Sequence, residues 1–344
     1  MAAGGKRFHE TGSRSWAASQ ERGGIRLTIE RLKEIVHKVL PDVDVVIGYR
    51  QGFDALHATP FFITKPEEVD ELIWGPLCVH NLAAYLPSLT KNKKIAVIVK
   101  GCDSRTVNQY LQENLINREN TVIIGIPCSG VISVKKVLKG LGDQPIEAVS
   151  GDGDKITVTT SQGDKALSLS EVSPDKCRTC QYPTPLIYDH LAGDPISPDK
   201  PAESVYDDVR EFEKLSLGER WHYWETELSR CIRCYACRNA CPMCICQDKC
   251  IAESRDPHWM TQRLNGTEKL MYHMIHALHL AGRCVECEEC TRVCPVEIPV
   301  AKIKKKINME MAELFGYKAG VGVEDTPPMF TFKVDEEKIE EHEL

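Results

Sequence analysis

No stretch of this sequence approaches the ~18 consecutive apolar residues of a membrane-spanning helix, so no span is expected. The first residues, Met1 to about Gly24, lack the apolar core of a secretory signal. Rich in Gly, Ser and Arg, they read as a disordered leader. A basic excess is also missing. Forty-three Lys and Arg face 50 Asp and Glu, a net charge of −7, which argues against nucleic acid as the main partner. There is no Cys-Cys dipeptide, no nucleophile–base pair that stands out, and no Gly-Gly-rich strand-to-helix turn to cradle a pyrophosphate.

What the chain has in abundance is cysteine, 16 in 344 residues. In a secreted chain this would read as a disulfide framework. Here the C-x2-C clustering points to metal instead, and so to a reducing, cytoplasmic and anaerobic setting.

Two segments carry one pattern, C-x2-C-x2-C-x3-C-P. Cys231, Cys234, Cys237 and Cys241 precede Pro242; Cys284, Cys287, Cys290 and Cys294 precede Pro295. Three thiolates at this spacing wrap one [4Fe–4S] cubane in a tight loop, and in two-cluster ferredoxins the fourth cysteine ligates the other cluster. The expected sets are therefore Cys231, Cys234, Cys237 with Cys294, and Cys284, Cys287, Cys290 with Cys241. Zinc also accepts paired C-x2-C thiolates, but does not call for the third cysteine and x3-C-P, which occur here twice.

The fold class expected is α+β and multidomain: an α/β domain with a partly parallel sheet over 25–193, then a mainly helical dicluster ferredoxin domain over 203–318. A Pro- and Asp-rich linker, 194–202, separates them, and 319–344 reads as a tail that is acidic from Asp335 to Glu343. In the first domain Val43–Ile47, Ile95–Val99 and Thr121–Ile124 read as strands, the last two as runs buried on both faces. Pro66–Trp74, Val79–Leu86, Asp103–Leu111 and Val131–Leu138 read as helices, and Ile146–Val149 with Lys155–Thr160 as a hairpin. Beyond the linker, Glu203–Leu215, Leu217–Leu228 and Glu268–Leu280 read as helices.

Cys102 and Cys128 each follow a strand of this pattern, where open α/β sheets bind ligands. Neighbouring glycines allow close backbone approach. With the pair Cys177 and Cys180 they supply the four thiolates of a third cubane. Taken singly, such a cysteine is more often a small core residue, and zinc is again the alternative.

The loop Gly125–Cys128, the K-C-x-x-C of Lys176–Cys180 and Lys100–Arg105 (KGCDSR) resemble the beta-subunit family of deazaflavin-coenzyme (coenzyme F420)-reducing hydrogenases and dehydrogenases, in the variant with an added ferredoxin module. The likeness covers about 25–190. It implies that Cys102, Cys128, Cys177 and Cys180 ligate a [4Fe–4S] cluster. It also implies FAD in many members, though Trp74–Cys78 stands where a flavin-binding turn would be sought. Partners implied are heterodisulfide-reductase-like, flavoprotein, hydrogenase-type or formate-dehydrogenase-type subunits.

Cys244, Cys246 and Cys250 follow the first run closely. They are candidates for a further metal, with Cys78 as a conceivable fourth ligand; buried reduced thiols are the plainer reading. His273, His276 and His279 read as a polar helical face rather than a proton relay, and Lys302 with Lys304–Lys306 as a solvated one. Trp221, Tyr223 and Trp224 are expected to pack against the cluster module.

The function expected is an iron–sulfur electron-relay subunit. The alternative is a flavin-containing subunit that itself reduces or oxidises a deazaflavin-type coenzyme. A disulfide reductase ranks below both because adjacent cysteine pairs are missing. A zinc scaffold would be colourless and free of iron.

Overall fold

Ile95–Val99 is apolar without a break because both faces of its strand are covered. The computed structural model describes residues 29–332 apart from 143, 153–154, 200, 247–249, 255–260 and 262. The leader (1–24) and the acidic stretch Asp335–Glu343 lie outside the described residues. The strands are β1 (Val45–Gln51), β2 (Ala58–Ile63), β3 (Ile95–Val99), β4 (Thr121–Gly125), β5 (Ile146–Asp152), β6 (Lys155–Thr160), β7 (Gly163–Ser168) and β8 (His190–Leu191). The main sheet has the order β2-β1-β3-β4-β8. Only the β1–β2 pair is antiparallel; β1–β3, β3–β4 and β4–β8 are parallel.

Alternation along β3 sends Ile95, Val97 and Val99 into one core and Ala96 and Ile98 into the other. Each large aliphatic side chain buried this way contributes about 1.5–3 kcal/mol. Helix α1 (Ile29–Val39) covers the second face with Leu32, Val36 and Val39. Helices α2 (Gly101–Gln112) and α3 (Val134–Leu141) lie on the first, with Val107, Tyr110, Val137 and Leu141 in its core.

Three local expectations change. Pro66–Trp74 shortens to a 3-10 turn, Pro66–Glu71, and Val79–Leu86 becomes a 3-10 turn, Leu82–Tyr85, leading into one helical turn, Leu86–Leu89. The hairpin gains a third antiparallel strand, β7, whose sequence is mostly exposed and so lacks an apolar signal.

After the linker come α4 (Asp207–Glu213), α5 (Leu217–Ser229), α6 (Gly266–Leu278) and α7 (Val300–Phe315). The Ser216 hydroxyl and Glu219 form a capping box at the start of α5. The Asn265 side chain caps α6 by accepting from Glu268 N at 2.9 Å. Leu228, Tyr272, Ile275, Ile298 and Val300 pack among cysteines in this domain's core.

The two domains meet along α2, which explains why so polar a helix is buried. Tyr110 Oη donates to the Pro242 carbonyl at 2.6 Å. Arg105 Nε and Nη2 donate to Ala319 O at 3.1 and 3.0 Å, and Asn108 Nδ2 to Gly320 O at 3.1 Å. Ala319–Gly322, expected within the tail, thus straps over α2. Gly320 sits there at φ 68°, and an added Cβ would lie 2.0 Å from Arg105 O, so both conformation and space require glycine.

At the end of α2, Glu113 takes a bidentate pair from Arg283 at 2.8 and 2.6 Å, with side chains only 6% and 12% exposed. Removing one partner of such a pair costs about 3–5 kcal/mol. Glu113→Ala is therefore expected to lower the melting temperature and expose the segment before Cys284 to limited proteolysis. An unchanged melting curve would refute this weight.

Candidate metal centres

The two ferredoxin-like runs form loops of the same shape. Arg233 and Tyr235 in the first, and Glu286 and Glu288 in the second, have φ of 52°, 59°, 56° and 54°. Left-handed backbone costs a non-glycine residue about 1–2 kcal/mol, and here it recurs at matching offsets from Cys231 and Cys284. Each loop ends in a one-turn helix, Ala236–Asn239 or Glu289–Arg292, entered from a left-handed residue. Alternating handedness turns successive N–H groups inward as an anion-binding nest, a device common at iron–sulfur sites. Arg233 N donates to Cys231 Sγ at 3.4 Å and Ile298 N to Cys294 Sγ at 3.3 Å.

The fourth cysteines cross over. Cys294 lines one small cavity with Cys231, Cys234 and Cys237, beside Tyr272 and His273. Cys241 lies close to Cys284, Cys287 and Cys290 and acts electrostatically on all three. Burial pushes the Cys237 thiol up to about 11 and the Cys284 thiol up to about 12. Free thiolates would not persist in such basins, whereas a coordinating metal deprotonates a thiol outright. The donor set and the nests fit cubanes.

Of the cysteines after the first run, Cys244 meets Cys241 and His276, with ligand atoms within 4.8 Å of one another. Cys246 is exposed, and Cys250 hydrogen-bonds Arg238. The histidines do not form the expected polar face. His273 and His276 are buried against sulfur, with Nε2 at 3.4 Å from Cys231 Sγ and 3.2 Å from Cys244 Sγ, and only His279 is exposed. Burial pushes His273 down to about 3, leaving it neutral. The lysine run also divides. Lys305 pairs with Asp208 at 2.6 Å and Lys302 stacks over the Phe212 ring at 4.1 Å, but Lys304 is 2% exposed. A run of lysines hides an inward member; the available signal was that Val300, Lys304 and Asn308 repeat every four residues, one buried stripe. Trp224 packs against the module's core, while Trp221 is exposed.

The third group stands at the carboxyl ends of β3 and β4. Cys102, Cys128, Cys177 and Cys180 line a single cavity of about 890 Å³. Cys102 opens α2; Cys128 N donates to Pro183 O at 2.9 Å; Cys177 sits on the turn Asp175–Arg178. Gly101 lets these strands of backbone meet, since a Cβ there would lie 1.5 Å from Tyr182 O. Burial pushes the Cys128 thiol up to about 12 and raises Cys102, Cys177 and Cys180. Lys100 turns away into the core, pairing with Asp103 at 2.7 Å and donating to Tyr49 Oη at 2.7 Å. Lys176 instead crosses the domain boundary and donates to Cys287 O at 2.6 Å. Cys78 is fully buried in the first domain's core, near Lys100 and Cys128.

Fold and site together define an iron–sulfur electron-transfer protein, an α/β domain joined to a dicluster module. Residues 92–204 match the family model for the C terminus of the coenzyme F420 hydrogenase/dehydrogenase beta subunit, and residues 227–298 match the 4Fe-4S dicluster domain. The chain thus carries a segment similar to that beta subunit's C terminus, followed by a segment similar to a dicluster domain. It is 25% identical to the F420-dependent formate dehydrogenase subunit beta of Methanocaldococcus jannaschii, over 85% of this chain and 90% of that one. It is 24% identical to the F420-dependent formate dehydrogenase 1 subunit beta of Methanococcus maripaludis, over 83% and 89%. Among solved structures, a chain of the F420-reducing [NiFe] hydrogenase complex from Methanosarcina barkeri matches at 16% identity and a TM-score of 0.35. That match spans 46% of this chain and 59% of that one. No helix among the described residues is long and apolar enough to cross a membrane.

Proposed function

We propose that this chain is the relay subunit of an F420-dependent hydrogenase or formate dehydrogenase complex, carrying electrons through three [4Fe–4S] clusters. Cys231, Cys234, Cys237 and Cys294 hold the first, Cys284, Cys287, Cys290 and Cys241 the second, and Cys102, Cys128, Cys177 and Cys180 the third. The observation that carries the reading is the third group: four half-buried cysteines from three separate segments share one cavity, at the sheet edge facing the dicluster module. When bound, the clusters supply one-electron transfer at potentials tuned by their surroundings. The chain's own residues hold the first two in nested loops, pack Tyr272, His273 and Tyr110 beside them, and join the domains through Lys176. One end of the relay meets a hydrogenase- or formate-dehydrogenase-type partner, the other a flavoprotein or heterodisulfide-reductase-like partner. The setting is an anaerobic cytoplasm.

A second reading, a flavin-containing subunit that itself reduces or oxidises the deazaflavin coenzyme, is favoured by the size of that cavity. At about 890 Å³ it lies in the upper range of cofactor pockets, and Lys302, Lys305, Lys318, Tyr206 and Tyr223 also line it. Anaerobic purification with iron and sulfide counting, EPR and a visible spectrum separates the readings. About twelve irons and no flavin band after reconstitution with FAD support the relay. About eight irons would reduce the first domain to a docking module, and a stoichiometric flavin band would establish the second reading.

A further inference from the structure

Lys304 is a buried cation without a carboxylate. Its side chain points from α7 into the dicluster core, and among the described residues no Asp or Glu lies within ion-pair distance of its Nζ. An unpaired ammonium in that position costs several kcal/mol unless something nearby is negative. The groups that face it are sulfurs, those of Cys290, Cys241, Cys284 and Cys244, with Cys290 in hydrogen-bond contact. Its Nζ also donates to His276 Nε2 at 3.4 Å. One turn along the same face, Asn308 Nδ2 donates to Cys284 O at 2.7 Å. Three of those four thiolates belong to the second ligand set; from the first, Cys237 feels the same charge.

From this placement we infer that Lys304 is a positioning residue for charge: it sets the potential of the cluster held by Cys284, Cys287, Cys290 and Cys241, and thereby which dicluster site is reduced first. The inference rests on the cluster assignment above. Reduction adds one negative charge to a buried site, and a fixed ammonium beside it stabilises the reduced form, most where the surroundings are poorly screened. Among the described residues the buried cations near the first set are Arg233 and Lys269, and both are engaged by backbone carbonyls: Arg233 Nη1 donates to Thr261 O and Arg263 O. There Cys234 is exposed, and the Lys269 ammonium is taken up by Ser229 O.

The test is an EPR-monitored redox titration of the full-length protein with Lys304→Met, Lys304→Gln and Lys304→Arg, with iron counted in each. The second cluster's signal is identified by its absence from a Cys290→Ser variant. With iron unchanged, Met and Gln are expected to shift its reduction equilibrium toward the oxidised form by tenfold or more, about 59 mV for one electron. The first cluster should shift less and the third not at all, and Arg, which keeps the charge, should hold the wild-type value. Equal midpoints in all four proteins would overturn the inference. So would loss of the second cluster's iron from both Met and Gln variants, which would make Lys304 an assembly residue. A wild-type protein lacking the Cys290-dependent signal would instead sink the cluster assignment, whatever Lys304 does.

Discussion

Replacing both Cys102 and Cys128 by serine should leave about eight irons per chain where about twelve are expected of the wild type. The two residues come from successive parallel strands and contribute half of the proposed ligands of the third cluster. A serine hydroxyl is a poor soft ligand, and losing two of four thiolates leaves no stable cubane. The dicluster should keep its EPR signals, because its eight cysteines lie in the other domain. The relay between the two ends should then fail, with electron transfer from donor to acceptor falling by orders of magnitude while each end still reacts with its own partner. Unchanged iron content in the double variant would remove the third cluster from the protein.

Gly101→Ala should do comparable damage without touching a ligand. An alanine Cβ would sit 1.5 Å from Tyr182 O and 3.3 Å from Thr184 O. Both are backbone atoms, so no side chain can swing aside and the segment after Cys180 must move. That segment also carries Pro183 O, which accepts from Cys128 N. The expected result is a loss of about 3–5 kcal/mol, in the range reserved for severe backbone or core lesions, together with the iron of the third centre. Gly140→Ala is the control. It lies within α3 with nothing inside 4 Å of the new Cβ, so alanine should stabilise by about 0.5–1 kcal/mol. Urea titration and iron counting report both effects; near-wild-type stability in Gly101→Ala would show that the chain relaxes there.

Much of the fold is legible in the residues alone. The runs Ile95–Val99 and Thr121–Gly125 are strands buried on both faces, and their apolar continuity says so. The helical patterns of α3, α5 and α6 are equally visible. Legibility fails where polar residues are buried by another domain. Helix α2 is polar in sequence, yet Arg105, Asn108 and Gln109 are all buried, because Pro242 and the segment from Tyr317 to Gly322 lie across it. His273, His276 and Lys304 mislead for a related reason, burial against sulfurs of their own domain. Their type predicts solvent, and their partners are sulfurs distant along the chain: Cys231 lies 42 residues from His273, and Cys244 lies 32 from His276.

The sequence by itself determined the chemistry. Cysteine spacing is local, a loop of a few residues either can or cannot wrap a cubane, and both runs declare it. The class of the first domain followed from the same kind of local periodicity. Only the tertiary structure decided the company those sulfurs keep. It brings Cys294 to Cys231, Cys234 and Cys237, and Cys241 to Cys284, Cys287 and Cys290. It gathers Cys102, Cys128, Cys177 and Cys180 in one cavity and turns one lysine of a run inward. Those outcomes depend on contacts between residues far apart in the chain, where burial reverses the preference that each charged side chain has for water.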